Sequence, residues 1–385
     1  MAQTLFTHIK LLLGTAHPTA ALRGAALTVL PSIANAWLLV EDSEIAGFGP
    51  METLPDALLL APSVDAGGRL VLPAWCDSHT HLVFAASREE EFVDKIKGLS
   101  YAEIAARGGG ILNSAARVQA ASEDQLFTIA WERLQEISLL GTCAVEIKSG
   151  YGLTVADELK MLRVIKKLRQ KSSLIIKASF LGAHTYPPFY RDDHDAYINS
   201  IINEMLPVIA ADQLADYIDV FCEQGFFSNE ETARICAAGR QYGLIPKIHA
   251  NQLSCSGAVE TAVRAGALSA DHLEMMDAPA ISALAGADTI GTLLPTAAFF
   301  LRMPFQPARA LLDAGCAIAL ASDYNPGSSP SGNMNLVVAM ACIQMKMLPE
   351  EAINAATING AFAMGVEGLA GSIAEGKKAN LIMTK

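Results

Sequence analysis

The stretch CDSHTHLVF, residues 76–84, closes an apolar run, GRLVLPAWCDSHTHL, with two of the chain's eight histidines set two residues apart. On a β-strand successive side chains point to opposite faces, so His79 and His81 project the same way, about 7 Å apart along the strand. Two imidazoles placed like this are able to share one cation. The question is whether the rest of the chain builds other strands that end in the same manner.

It does. From residue 70 onward short apolar runs alternate with helical patterns, the signature of parallel β/α units. The runs are RLVLPAWCDSHTH, TCAVEIKSG, SLIIKASFLGAH, YIDVFCE, LIPKIHA, ALSADHLE, DTIGTLLP and CAIALASDYNPG, eight in all. Between them SEDQLFTIAWERLQEISLLG is expected as a helix capped by Ser122. TVADELKMLRVIKKLRQ is expected as a helix capped by Thr154, with Asp157 and Glu158 in its first turn. The runs carry His79 and His81, Glu146 and Lys148, His184, Glu223, His249, His272 and Asp323 at their C-terminal ends. In a closed barrel those ends form one face, where active sites sit. Five of the eight histidines converge there.

The fold expected is therefore α/β, a (β/α)8 TIM-like barrel with a small β-sandwich domain made by the N- and C-terminal segments. Residues 1–69 read as short strands and turns, 361–385 as a turn and a strand, and neither segment buries both faces alone. The barrel, residues 70–360, is inserted between them. At 385 residues this is a normal length for a barrel with a small domain attached.

Composition narrows the function. Apolar residues make up 51% and charged residues 18%, which describes a well-buried globular protein. No run of about 18 uncharged apolar residues occurs, so no membrane span is expected. The opening LFTHIKLLLGTAHP lacks the layout of a signal peptide and reads as a first strand. Against 28 basic residues stand 40 acidic ones, a net −12, which disfavours nucleic acid or an anionic membrane as a partner. Seven cysteines without a C-x-x-C pair suggest reduced thiols and a cytoplasmic location.

Zinc and ferrous iron both accept imidazole nitrogen and carboxylate oxygen, and a catalytic site keeps a position open for water. His79, His81, His249 and Asp323 supply such a donor set from strands one, five and eight of the barrel. A metal there would bring the pKa of a bound water to roughly 7.

These residues also carry a resemblance. DSHTHL, the strand-five histidine, SADHLE and ASDYNPGS look like the amidohydrolase superfamily. Within it HTHLVFAASREEEF, GGGI, EIKSGYGL, FLGAH, DVFCEQGFFS, KIHANQLS, ADHLE and SDYNPGSSPSGNMN resemble the imidazolonepropionase family, in order, from about residue 70 to 375. EIKSGYGL together with DYNPGSS is the specific part. The resemblance implies hydrolysis of the cyclic amide of 4-imidazolone-5-propanoate to N-formimidoyl-L-glutamate, the third step of histidine degradation. It implies one divalent metal ion, Zn2+ or Fe2+/Fe3+, on His79, His81, His249 and Asp323, and a homodimer. It places Arg88, Tyr101, Tyr151, His184, Gln252, Asn325, Gly327 and Ser328 against the substrate, and His272 and Asp323 in catalysis.

The chemistry of the side chains agrees. Arg88 is able to grip the propionate through a two-pronged, charge-assisted hydrogen bond. Tyr151 lies between glycines that let backbone approach a ligand. YNPGSS is expected as a turn whose Asn amide and N–H groups face the substrate's polar edges. His272 serves either the developing oxyanion or the leaving nitrogen.

Two features depart from the family. HANQLS holds Asn251 and Gln252 where other members carry an acidic residue at one or both positions, and an amide is no base at pH 7. That leaves Asp323 as the proton acceptor. The chain also ends at GKKANLIMTK, where the resemblance implies a further strand of the small domain. Lys148 beside Glu146 reads as a barrel ion pair rather than a carbamylated bridge between two metals. The alternatives are another cyclic amidase or deaminase, which would need no Arg88 or Tyr151, and a barrel that binds ligand without turnover. The presence of all four ligands and His272 weighs against the latter.

Overall fold

The computed structural model describes residues 2–99, 103, 107 and 109–384. Strand β1 (Gln3–Leu13) pairs antiparallel with β2 (Ser32–Glu41), which pairs antiparallel with β3 (Glu44–Pro50). On the other edge of β1 lie β4 (Ser63–Asp65) and β5 (Leu70–Pro73), both parallel to it. A bulge near His8, which takes φ 50°, separates the parts of β1 that serve these two short strands.

The run at 69–81, expected as one barrel strand, is two. Leu70–Pro73 stays in the outer sheet, and β6 (Trp75–Thr80) enters the barrel. Pro73 has no N–H to continue a central ladder, so the chain changes sheets at this point. The other barrel strands follow the expected order: β7 (Thr142–Lys148), β8 (Ile175–Ala183), β9 (Tyr217–Cys222), β10 (Ile245–Ala250), β11 (Ser269–His272), β12 (Ile290–Leu293) and β13 (Ile318–Leu320). Each pairs in parallel with its neighbour in sequence. The ring closes through Asp323 N–H donating to the His79 carbonyl at 3.0 Å and His81 N–H to the Tyr324 carbonyl at 2.9 Å. Finally β14 (Leu381–Met383) returns antiparallel onto β5, joining the two ends of the chain in one sheet.

Period-two alternation explains how apolar strands carry charge. On β7 Val145 and Ile147 join the main apolar layer with Leu162 and Ile165, while Glu146 and Lys148 face the barrel interior. The helix Glu123–Leu139 starts at a capping box, with Ser122 and Gln125 satisfying each other's backbone N–H groups. The helix Val155–Lys171 starts where the Thr154 hydroxyl accepts from Asp157 N–H at 3.1 Å. The outer sheet has its own core of Ile9, Leu12, Leu38, Ile45, Val71 and Ile373.

Near the C-terminus the helix Ile358–Phe362 lies directly on β6: a Cβ on Gly360 would sit 2.4 Å from the Cys76 carbonyl oxygen. Backbone on both sides leaves no flexible atom to yield. Gly360→Ala is therefore expected to lower the unfolding free energy by about 1–3 kcal/mol, read from the urea midpoint. An unchanged midpoint would contradict this close approach.

Candidate active site

At the C-terminal ends of the barrel strands His79, His81 and His249 bring ring nitrogens within 4.8 Å of one another, as do His79, His272 and Asp323 with their donor atoms. Asp323 Oδ1 is 3.5 Å from His79 Nε2 and 3.6 Å from His81 Nε2. The Nε2 atoms of His81 and His249 face each other at 3.4 Å. His79 Nε2 is buried without a hydrogen-bond partner. Burial holds all three of these rings well below the ordinary imidazole range, so they are neutral, with lone pairs available. A buried orphan nitrogen beside a carboxylate, and two ring nitrogens pointing at each other, are satisfied together by a cation between them. The donor set fits a divalent metal ion.

The orientation of these rings is set from below. His79 Nδ1 is 2.7 Å from Asp271 Oδ2 and His249 Nδ1 is 3.1 Å from Asp219 Oδ1, which turns each Nε2 toward the centre. The two carboxylates belong to a fully buried charge cluster. Lys148 Nζ lies 2.6 Å from Glu146, 2.7 Å from Asp219 and 3.5 Å from Asp271. Lys247 donates to the other Glu146 oxygen and to the Ser78 and Ala363 carbonyls. Burial alone would push the Lys148 pKa down, but Asp219, Glu146 and Asp271 outweigh it and hold it above the ordinary range. Lys148 is thus an ion-pair partner, as read from the sequence. Asp219 and Lys247 escaped that reading. Their signal was a charged residue inside an otherwise apolar strand, two positions before Phe221 and His249.

Above the cluster opens a cavity of about 660 Å³, lined by His81, His249, His272 and Asp323 together with Arg88, Tyr151, His184, Gln252, Asn325, Gly327 and Ser328. Tyr101 lies outside the described residues. Tyr151 sits on a loop whose Gly150, Gly152 and Leu153 N–H groups all donate to buried Glu158. Burial raises the Tyr151 pKa and keeps its phenol protonated. His184 Nδ1 meets the Gly150 carbonyl at 3.0 Å, its ring stacks 5.2 Å from that of His81, and burial brings its pKa down to about 4.

Arg88 lies across the turn after β13: a Cβ on Gly327 would fall 2.2 Å from its Nη2, so any side chain there would displace the guanidinium. Its Nε is 3.1 Å from Glu91, which also accepts from Gly110 N–H and the Asn113 amide. Lys95 lines the same cavity and was not anticipated. The Asn325 amide, expected to face a ligand, is engaged inside its own turn. It accepts from Gly327 and Ser328 N–H at 2.8 Å and donates to the Asp323 carbonyl and the Ser328 hydroxyl at 2.6 Å. A short amide side chain bonds its own backbone two residues on more readily than it reaches outward. Ser328 in turn donates to Asp323 Oδ2 at 3.2 Å. Glu223 does not reach the cavity; it accepts from Leu253 and Ser254 N–H and so holds the loop that carries Gln252. His272 contacts Glu274, and burial's downward pull on its pKa is outweighed chiefly by that carboxylate, which keeps it raised.

The sequence profile of the amidohydrolase family matches residues 70–385. An imidazolonepropionase of Flavobacterium johnsoniae is 57% identical over 363 residues, spanning 94% of this chain and 88% of its own length. Another, from Geobacillus kaustophilus, is 42% identical over 355 residues, spanning 91% and 84%. Among solved structures, a triazine hydrolase described as from Arthobacter aurescens superposes with a TM-score of 0.74 at 16% identity, covering 100% of this chain and 87% of that one. A guanine deaminase from C. acetobutylicum gives 0.66 at 16%, covering 99% and 90%. These two share the fold.

Asp271→Asn should weaken metal retention about 10- to 100-fold, since the amide no longer fixes the His79 ring as a carboxylate does. Metal content after timed dialysis against chelator reads this, and retention equal to the parent protein would refute it.

Proposed function

Because the chain belongs to the amidohydrolase family and, within it, to the imidazolonepropionases, we propose that it hydrolyses the cyclic amide of 4-imidazolone-5-propanoate to N-formimidoyl-L-glutamate. Water adds across one ring C–N bond in this step of histidine degradation. What carries the reading is that one cavity contains both a histidine–aspartate donor cluster and a guanidinium only 10% exposed. The substrate has two ends that need different hosts, a ring carbonyl and a propionate, and the cavity offers one for each.

His79, His81, His249 and Asp323 would hold one divalent ion, zinc or iron. When bound, such an ion brings the pKa of a water to about 7. Arg88 binds the propionate. Its Nε lies 3.1 Å from Glu91, and its Nη groups are proposed to take the carboxylate. Tyr151, kept protonated, donates to the substrate, and neutral His184, with Nδ1 at the Gly150 carbonyl, presents Nε2 to it. Gln252 lines the wall but takes no proton. Asp323 accepts the proton of the attacking water. His272 donates to the developing oxyanion or to the leaving nitrogen. Asn325, Gly327 and Ser328, which line the cavity, are proposed as further substrate contacts, and Ser328 also orients Asp323. Tyr101 is proposed as a further substrate contact.

The remaining proposals concern setting. The cytoplasm suits seven cysteines, none of them in a disulfide. Among the described residues no helix is long and apolar enough to cross a membrane. The net charge of −12 weighs against nucleic acid as a partner. We propose a homodimer, as the resemblance implies, with domain limits at 1–69, 70–360 and 361–385.

Two measurements test the reading. With substrate generated in situ from urocanate by urocanase, the protein should form formimidoylglutamate, and chelator should abolish it. No product from folded, metal-loaded protein would move the activity to another cyclic amide. Arg88→Ala should raise KM at least about tenfold, in line with the loss of a charge-assisted pair; an unchanged KM would remove Arg88 from propionate binding.

A further inference from the structure

Strand alternation places Asp271 toward the barrel interior, where it bonds His79. The next residue, His272, should then face the surrounding helices. Instead φ is 88° at His272 and 66° at Leu273, a left-handed reversal that turns the ring into the cavity. The same reversal brings Glu274 back beside the ring, with Oε1 3.4 Å from His272 Nδ1. Gln306 Nε2 donates to that oxygen at 2.9 Å. All three side chains are buried, and Glu274 Oε2 and Gln306 Oε1 have no hydrogen-bond partner. Gln306 arrives from the segment after the helix Pro295–Leu301, whose Leu301 and Met303 line the same cavity.

We infer that Glu274, anchored by Gln306, is the positioning residue for His272. The carboxylate accepts from Nδ1–H, which fixes both the tautomer and the ring orientation and leaves Nε2 directed at the substrate. Gln306 keeps the carboxylate from turning away. Neither residue touches substrate. This inference rests on the catalytic assignment of His272 made above.

A double-mutant cycle on the metal-loaded full chain tests it. Glu274→Gln keeps an acceptor of the same shape, and should lower kcat about tenfold; Glu274→Leu removes the acceptor and should lower it about a hundredfold. KM and bound metal should stay at parent values in both, which a general loosening of the barrel would not allow. Gln306→Leu should lower kcat in the same direction by a smaller factor. In a His272→Asn background all three substitutions should lose their effect on kcat. Unchanged kcat in Glu274→Gln and Glu274→Leu, loss of metal, or full losses persisting in the His272→Asn background would each overturn the inference. If Glu274→Leu fails to fold, the isosteric Glu274→Gln carries the test alone. Parent-level kcat in His272→Asn itself would instead refute the role of His272, and this inference with it.

Discussion

Five charges sealed inside the barrel govern the site: Lys148 and Lys247 against Glu146, Asp219 and Asp271, every side chain fully buried. Such a cluster is poor evidence of added stability, because desolvating the ions offsets much of their attraction. Removing either lysine is another matter, since it strands uncompensated carboxylates at a cost of about 3–5 kcal/mol. The cluster therefore acts as a rigid unit. Two of its carboxylates continue upward to His79 and His249, so the arrangement of the donor cluster is inherited from charges that never meet the substrate.

The loops that complete the cavity follow a second rule. Each is held by one buried glutamate accepting backbone N–H groups: Glu158 under residues 150–153, Glu223 under 253 and 254, Glu91 at Gly110. Charge-assisted bonds to backbone are among the stronger hydrogen bonds available to a loop. They give irregular segments a precision close to that of the strands. Tyr151, Gln252 and Arg88 thus reach the cavity from loops, each steadied by a carboxylate that takes no part in the proposed chemistry.

Part of the backbone strain lies in the same place. Asp323, His272 and Asn251 all take positive φ without being glycine, at the ends of strands whose other residues are regular. Conformations of this kind persist where the surroundings over-determine them. Here the closing bond from Asp323 N–H to the His79 carbonyl supplies part of that constraint.

By itself the sequence determined the eight strands, their order, and most of the residues at the rim. That information is local: alternation of apolar residues, Ser122 and Thr154 as helix caps, and motifs such as EIKSGYGL and DYNPGSS are all read within a few positions. Only the tertiary structure decided what stands across the barrel from what. Barrel closure alone set Asp219 and Asp271 against Lys148, and the fold of the turn alone decided that the Asn325 amide bonds Gly327 and Ser328. Pro73 ended the outer sheet where the pattern ran on unbroken. The reason is physical: hydrophobic period reports which face a residue takes, but the partner it meets there comes from a strand tens of residues away, and the choice is made by packing and charge balance together.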